Sequence, residues 1–172
     1  RDVRIPGREL KGIYFGMPYL IRENRRQLGQ AVDDVMDARG KEVVVLGGGD
    51  TGADCVATAH RQGAKKVTQI SIRQQAPFDR TDDNPWPMQL KTYLQTYAQE
   101  EGAEEQFALD TVKFLDDNGD GAVDGILTER VKWTFDERGR RVSKTVLEED
   151  IRIRADMILI AIGFAGAEDD PF

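Results

Sequence analysis

The stretch VVVLGGGDTG, residues 43–52, decides the fold of this chain. Its apolar residues run directly into three glycines, and a fourth glycine follows three positions later. A short apolar run without alternation predicts a strand that is buried on both faces of a parallel sheet. The next segment, DTGADCVATAHRQGA, predicts a helix that ends at Gly63, and KKVTQISI predicts a second strand. The sequence therefore predicts a βαβ unit with a glycine-rich turn after its first strand.

The glycines of this turn have the spacing G-x-G-x-x-G inside a βαβ unit. In dinucleotide-binding folds, the first glycine permits the tight turn, the second lets the backbone approach a pyrophosphate, and the third lets the helix lie close to the strand. The helix N-terminus adds unpaired N–H groups and a partial positive charge. A Walker-type loop is excluded because no Gly-Lys-Ser/Thr follows. We therefore expect a bound dinucleotide that contacts Gly47, Gly48, Gly49, Asp50, Thr51 and Gly52.

Length and composition narrow the class of protein. With 172 residues, of which 40% are hydrophobic, the chain is expected to form one domain. Its 31 acidic and 24 basic residues give a net charge of -7, so neither nucleic acid nor an anionic membrane is an expected partner. Its longest apolar runs are too short to span a bilayer. The single cysteine, Cys55, excludes an internal disulfide and a thiolate set for a metal cluster, and a reducing, cytoplasmic location is expected.

The rest of the chain shows three further kinds of pattern. Residues 14–39 predict a helix in two pieces, and residues 88–101 predict another helix. Residues 76–87 predict a loop in which Trp86 is expected to pack rather than to line a cofactor pocket. Residues 157–164, MILIAIGF, predict another buried strand. Three β-branched and aromatic runs predict an antiparallel meander, at residues 107–115, 123–135 and 143–153. The predicted fold class is α/β, with a Rossmann-like parallel sheet and a three-stranded antiparallel β-meander.

The turn DDNGDGAVD, residues 116–124, imitates the start of a calcium-binding loop. Asp116, Asn118 and Asp120 stand at the right offsets, but the twelfth position is Leu127 where a bidentate Glu is needed. No helices are predicted on either side of the turn. We therefore expect a hairpin turn and no metal site. Cys55 is expected to be a packing residue rather than a nucleophile.

Several stretches resemble the nicotinamide-binding domain of the small (beta) subunit of glutamate synthase. They are VVVLGGGDTGADCVATAHRQGAKKVTQ, DNPWP at 83–87 and EEG at 100–102. The resemblance covers essentially the whole chain and implies membership of the two-dinucleotide-binding-domain flavoproteins. In these proteins a nicotinamide-binding domain is inserted within a domain that binds FAD. Residues 1–172 are accordingly expected to be an NAD(P)-binding domain excised from a larger flavoprotein, with residues 1–13 and 157–172 as crossover segments to the missing FAD domain.

The resemblance also implies a function. In this family NAD(P)H reduces FAD, and electrons pass through iron–sulfur clusters to a large subunit that makes glutamate from glutamine and 2-oxoglutarate. The expected partners are therefore the FAD and iron–sulfur domains of the same polypeptide and the glutamate synthase large subunit. No catalytic residue is expected in this chain, because cofactor geometry governs hydride transfer. Gly163 is either a contact near the flavin–nicotinamide junction or simply the glycine that ends a buried strand.

Two alternatives to this function remain open at the level of sequence. One is a different host enzyme, such as a ferredoxin:NADP or sulfide oxidoreductase subunit. The other is a module that binds a dinucleotide without taking part in catalysis, because only one G-x-G-x-x-G is present and the flavin fingerprint is absent from the chain.

The end of the second strand, ISIRQQ at 70–75, predicts the choice of cofactor. An NAD site places a carboxylate there for the ribose 2′-OH, whereas an NADP site offers arginine to the 2′-phosphate. This chain has Ser71, followed closely by Arg73, and the NADH-using relatives tend to have Glu where Ser71 stands. We therefore expect NADPH as the ligand. Arg80 is a weaker candidate for the same phosphate, because NADH-using relatives have a comparable arginine.

Overall fold

The structure is a computed structural model that describes residues 1–33, 35–136 and 141–166. Five strands form an entirely parallel sheet in the order β1-β8-β2-β3-β4. Three more form an antiparallel sheet in the order β5-β6-β7. The strands of the parallel sheet are β1 Ile13–Phe15, β2 Glu42–Leu46, β3 Lys66–Ser71, β4 Glu104–Phe107 and β8 Met157–Ile160. Those of the antiparallel sheet are β5 Leu109–Leu115, β6 Gly125–Phe135 and β7 Arg141–Arg154.

Three helices complete the described elements: α1 Gly16–Gln27, α2 Asp50–Gln62 and α3 Tyr97–Glu100. Helix α2 ends where Gly63 adopts a left-handed conformation with φ of 88°. That conformation is accessible to glycine at little cost, and it stops the helix where the sequence predicts. Among the described residues, each helix is too short or too polar to cross a bilayer.

The parallel sheet is the middle of three layers. On one face, Val43 and Val45 pack with the buried side of α2. On the other face, Val44 and Leu46 pack with residues of the antiparallel sheet, among them Phe114. Because successive residues of a strand point to opposite faces, both faces of β2 must be apolar. This explains why residues 43–46 lack the alternation of a half-exposed strand.

The fold class is confirmed, including the βαβ unit and the three-stranded meander. The N-terminal segment contacts both sheets. Its strand β1 pairs with β8 in the parallel sheet, and its Pro6 carbonyl oxygen accepts from the Phe114 N–H of the antiparallel sheet at 3.0 Å. The predicted strand at 107–115 is two strands in different sheets, β4 and β5, separated at Ala108 with φ of 57°. The connection between the predicted runs 123–135 and 143–153 lies largely outside the described residues.

Two predicted helical segments are not helical. The described residues of 28–33 and 35–39 lie outside α1, because Gly29 turns the chain with φ of 73° and the carboxylates of Asp33 and Asp37 accept hydrogen bonds from nearby backbone N–H groups. Such local bonds compete with helix formation. Before α3, the N–H group of Lys91 donates to the side chain of Asn84 and that of Tyr93 to the Pro77 carbonyl oxygen. Residues 88–96 are therefore held by the preceding loop.

Candidate functional site

The glycine turn lies at the carboxyl edge of the parallel sheet, between the ends of β3 and β8. Leu46, the last residue of β2, pairs with Ile70 on one side and Ile160 on the other. The Gly47 N–H continues this pairing by donating to the Ile70 carbonyl oxygen at 2.8 Å. In open α/β sheets, ligands bind in crevices outside this edge.

Gly47 and Gly52 are required by close backbone contacts within the protein. Gly47 has φ of +126°, and a Cβ atom there would lie 2.2 Å from the Ala161 carbonyl oxygen. A Cβ atom at Gly52 would lie 2.2 Å from the Gly47 carbonyl oxygen. Both distances are far below van der Waals contact, so α2 can approach the turn only because these positions lack side chains. The roles that the spacing predicts for the first and third glycines agree with this packing.

Gly49 differs from the other two, because no contact with the described residues requires a glycine there. Its φ of -98° and ψ of -176° are extended values that any residue adopts. A Cβ atom at this position would meet no heavy atom of residues 1–33, 35–136 or 141–166 within 4 Å. Gly49 is also the N-cap residue of α2, and no side chain caps the helix. The first N–H groups of α2 are therefore available to an external acceptor, and the space beside Gly49 is open.

The predicted ribose-recognition residues adjoin this turn. A Cβ atom at Gly48 would lie 3.2 Å from the Ser71 Oγ atom, which places the end of β3 directly beside the turn. The Arg73 N–H donates to the same Ser71 oxygen at 3.2 Å, and the Arg73 residue is exposed. The strand end next to the glycine turn thus carries a hydroxyl and is followed by a guanidinium, with no carboxylate at position 71.

Arg80 has partners inside its own loop. Its guanidinium donates to the carbonyl oxygens of Asn84 and Met88, at 2.8 and 3.1 Å. The buried Asn84 side chain in turn donates to the Gln89 carbonyl oxygen and accepts from the Lys91 N–H. The guanidinium therefore holds the DNPWP loop together, and its assignment as a phosphate contact stays a prediction. Trp86 of this loop is 82% exposed, so the expectation that it packs is wrong.

Thr51 and Gly163 share a cavity of about 290 Å³ beside the glycine turn. Gly163 has φ of +89° and follows the carboxyl end of β8. The other residues that line the cavity are mostly apolar: Arg1, Phe15, Met17, Pro18, Ile160, Ala161 and Phe164. The glycine turn therefore lies between two regions. Ser71 is on one side of the turn, and the apolar cavity at Thr51 is on the other.

The remaining candidates, Cys55 and the calcium-like turn at residues 116–124, have contacts that indicate structural roles. Cys55 is fully buried in α2, and burial raises the pKa of its thiol to about 12. In the calcium-like turn, the Asp116 carboxylate accepts hydrogen bonds from the backbone N–H groups of Gly119, Asp120 and Gly121. The carboxylate thus stabilises the connection between β5 and β6. In the described part of the chain, no cluster of three His, Cys, Asp or Glu residues could hold a metal ion.

Sequence reasoning missed one polar residue of the site, Gln69. It is 3% exposed and its amide nitrogen donates to the Gly47 carbonyl oxygen at 2.9 Å. A polar residue within the apolar strand VTQIS is the signal that could have identified it, because buried amides are almost always hydrogen-bonded.

Comparison with known proteins identifies relatives over nearly the whole chain. The chain is 40% identical over 176 residues to the glutamate synthase [NADPH] small chain of Mycobacterium tuberculosis, covering 98% of this chain and 34% of that protein. It is 36% identical over 177 residues to glutamate synthase [NADH] of Schizosaccharomyces pombe, covering 98% of this chain and 8% of that protein. No protein-family model matches the chain.

Solved structures share the fold at low sequence identity. FprA from Mycobacterium tuberculosis superposes with a TM-score of 0.62 at 14% identity, covering all of this chain and 50% of FprA. FprA in complex with NADPH gives a TM-score of 0.60 at 14% identity, covering 97% of this chain and 48% of that protein. The resemblance inferred from the sequence is thus confirmed: the chain is homologous to one segment of glutamate synthase small chains and spans about a third of the length of the bacterial ones.

Proposed function

We propose that this chain binds NADPH and presents it for hydride transfer to FAD in an oxidoreductase of the glutamate synthase type. The observation that carries the proposal is the uncapped N-terminus of α2 beside Gly49, where no contact in the described part of the chain requires a glycine. A pyrophosphate fits this place, because it accepts hydrogen bonds from backbone N–H groups and needs the space that a side chain would fill.

The chain's own residues would bind and orient the cofactor. The amides of the turn and of the first turn of α2 would hold the pyrophosphate, with Ser71 and Arg73 at the 2′-phosphate. The nicotinamide end would extend toward the cavity at Thr51 and Gly163, whose lining is mostly apolar. NADPH, when bound, would supply the hydride that, with a proton, reduces FAD and leaves NADP⁺. In this proposal the protein binds and orients the cofactor and contributes no catalytic side chain, as is usual for hydride transfer from a nicotinamide.

The names of the relatives include both NADPH and NADH, so these names do not identify the cofactor of this chain. The choice between the two cofactors is therefore argued from residues 71 and 73. A carboxylate at position 71 would repel a 2′-phosphate, and this chain has a hydroxyl there. Arg73 is exposed and follows the strand end, so its guanidinium can form charge-assisted hydrogen bonds to that phosphate. One such bond contributes about 1.5–3 kcal/mol, which corresponds to a preference of about tenfold to a hundredfold.

A calorimetric titration of the chain with NADPH and NADH tests the proposal. We expect tighter binding of NADPH, and a reversed preference after the double substitution Ser71→Glu with Arg73→Ala. Arg152→Ala is the matched control, because it removes an exposed guanidinium on β7 that pairs with Asp117. This control should leave both affinities unchanged. Equal affinities for the two cofactors in the unsubstituted chain would refute the assignment of Ser71 and Arg73, and no binding of either would refute the function.

We further propose that the complete protein places this domain beside an FAD domain, iron–sulfur domains and a glutamate synthase large subunit in the cytoplasm. The support is that relatives named glutamate synthase are several times longer than this chain or are described as a small chain. The proposed crossover segments include the first residue of β1 and all of β8, which are neighbouring strands of the parallel sheet.

A further inference from the structure

A series of hydrogen-bonded amides joins the glycine turn to α3. The Gln69 Nε2 donates to the Gly47 carbonyl oxygen at 2.9 Å, and its Oε1 accepts from the Gln99 Nε2 at 2.7 Å. The Gln99 Oε1 in turn accepts from the Thr96 N–H at 3.0 Å and from the Thr96 hydroxyl. Thr96 is the N-cap of α3, and this pair forms a capping box. We call these three side chains, Gln69, Gln99 and Thr96, the amide relay.

The backbone groups at the two ends set the direction of the relay. The Thr96 N–H can only donate, and the Gly47 carbonyl oxygen can only accept. Gln99 must therefore turn its oxygen toward Thr96 and its NH₂ group toward Gln69. Gln69 must then turn its own oxygen toward Gln99 and its NH₂ group toward Gly47. One orientation of each amide satisfies every bond, and a flip of either amide would leave a donor facing a donor.

The relay fixes the orientation of a peptide plane in the turn. In a trans peptide, the carbonyl of one residue and the N–H of the next point in opposite directions. Because Gln69 holds the Gly47 carbonyl oxygen, the Gly48 N–H must point away from Gln69. Gly47 is fixed at its other end as well, since its N–H donates to the Ile70 carbonyl oxygen. The buried Gln69 side chain thus determines the direction in which the Gly48 N–H of the glycine turn points.

Gly52 leaves the space in which this hydrogen bond forms. A Cβ atom at Gly52 would lie 2.9 Å from the Gln69 Nε2 as well as 2.2 Å from the Gly47 carbonyl oxygen. The third glycine of the fingerprint therefore makes room for both partners of the bond. Gln69 lies on the same face of β3 as Val67, which belongs to the core cluster on the helical side of the sheet. Its amide is therefore directed between α2 and α3 rather than toward solvent.

We propose that Gln69 is a positioning residue for the dinucleotide, and that Gln99 acts through it. Gln69 holds the Gly47 carbonyl so that the amides of the turn face the pyrophosphate, and Gln99 keeps the Gln69 amide in the orientation that allows this. The inference rests on the proposed binding of NADPH. Through Thr96, the amide relay also connects residues 76–96 to the glycine turn.

The test compares two ligands, NADPH and adenosine 2′-monophosphate, because only NADPH contains a pyrophosphate. The substitution Gln69→Met keeps the side-chain volume and removes the amide. We expect it to weaken NADPH binding about threefold to tenfold, in line with the loss of one hydrogen bond, and to leave the affinity for adenosine 2′-monophosphate unchanged. Gln27→Met is the matched control, since Gln27 lies exposed at the end of α1 and bonds only to Glu23 among the described residues.

Gln99→Met keeps the inference testable if Gln69→Met does not fold. This variant leaves Gln69 in place without its orienting partner, and we expect the same selective loss for NADPH. Wild-type affinity for NADPH in both variants, or equal weakening of both ligands, would overturn the inference while leaving the proposed function intact. Absence of NADPH binding in the unsubstituted chain would instead overturn the proposed function together with the inference.

Discussion

Two alanine substitutions in the glycine turn should separate protein stability from ligand binding. At Gly52, the added Cβ atom would lie 2.2 Å from the Gly47 carbonyl oxygen, whereas ordinary contact begins at 3.4 Å. Backbone atoms must therefore move by about 1.2 Å, the difference between these distances. Overpacking of this kind costs about 1–3 kcal/mol, and the rigid neighbours favour the upper part of that range. For a chain of this size we expect Gly52→Ala to lower Tm by roughly 4–12 °C.

Gly49→Ala is the matched substitution, and the opposite result is expected. The added Cβ atom meets no atom of the described residues within 4 Å, and the backbone conformation suits any residue. The remaining cost is the weaker N-cap preference of alanine, below about 1 kcal/mol. Binding of NADPH should nevertheless weaken by about tenfold or more, because the methyl group occupies the space through which the pyrophosphate approaches the backbone.

Differential scanning calorimetry and calorimetric titration of both variants measure the two effects. Unchanged NADPH affinity in Gly49→Ala would show that the turn does not contact the phosphates. An unchanged Tm in Gly52→Ala would show that α2 does not approach the turn as closely as described.

Three further predictions concern other parts of the chain. Cys55 should resist iodoacetamide in the folded protein and react in denaturant, because burial raises the pKa of its thiol to about 12; rapid modification of the folded chain would contradict this. Millimolar calcium should leave Tm unchanged, because the Asp116 carboxylate already accepts backbone N–H groups; a saturable rise in Tm that Asp120→Ala abolishes would indicate a metal site. The purified chain should show no flavin absorption band and no NADPH oxidation with a dye acceptor, and a yellow preparation would argue against the proposed division into domains.

Local patterns were sufficient to predict the central elements. The strands β2, β3 and β8 and the helix α2 follow from short apolar runs and from glycines at their ends. The apolar runs are reliable signals for β2 and β8 because a strand buried on both faces tolerates few polar residues, whereas β3 was predicted from its β-branched residues although it buries Thr68 and Gln69. The predicted helices at 28–39 and 88–96 fail because apolar spacing alone does not show that Asp33, Asp37 and Asn84 bind the local backbone.

The edges of the parallel sheet were beyond local prediction. β1 has three residues and β4 has four, which is too short for a periodic signal. Each forms a strand because a neighbouring strand supplies hydrogen-bond partners, β8 for one and β3 for the other. Likewise, the exposure of Trp86 depends on how the whole DNPWP loop is held, which its own sequence does not specify.

The sequence by itself determined the βαβ unit, the glycine spacing of the turn and the absence of a carboxylate at position 71, because each depends on residues adjacent in the chain. Only the tertiary structure decided why each glycine is needed. Ala161, whose carbonyl oxygen excludes a side chain at Gly47, lies more than a hundred residues further along the chain and reaches the turn because β8 enters the sheet between β1 and β2. Only the tertiary structure also joins Gln69 to Gln99, since the packing of α3 against α2 brings the capping box within hydrogen-bonding distance of a buried amide on β3.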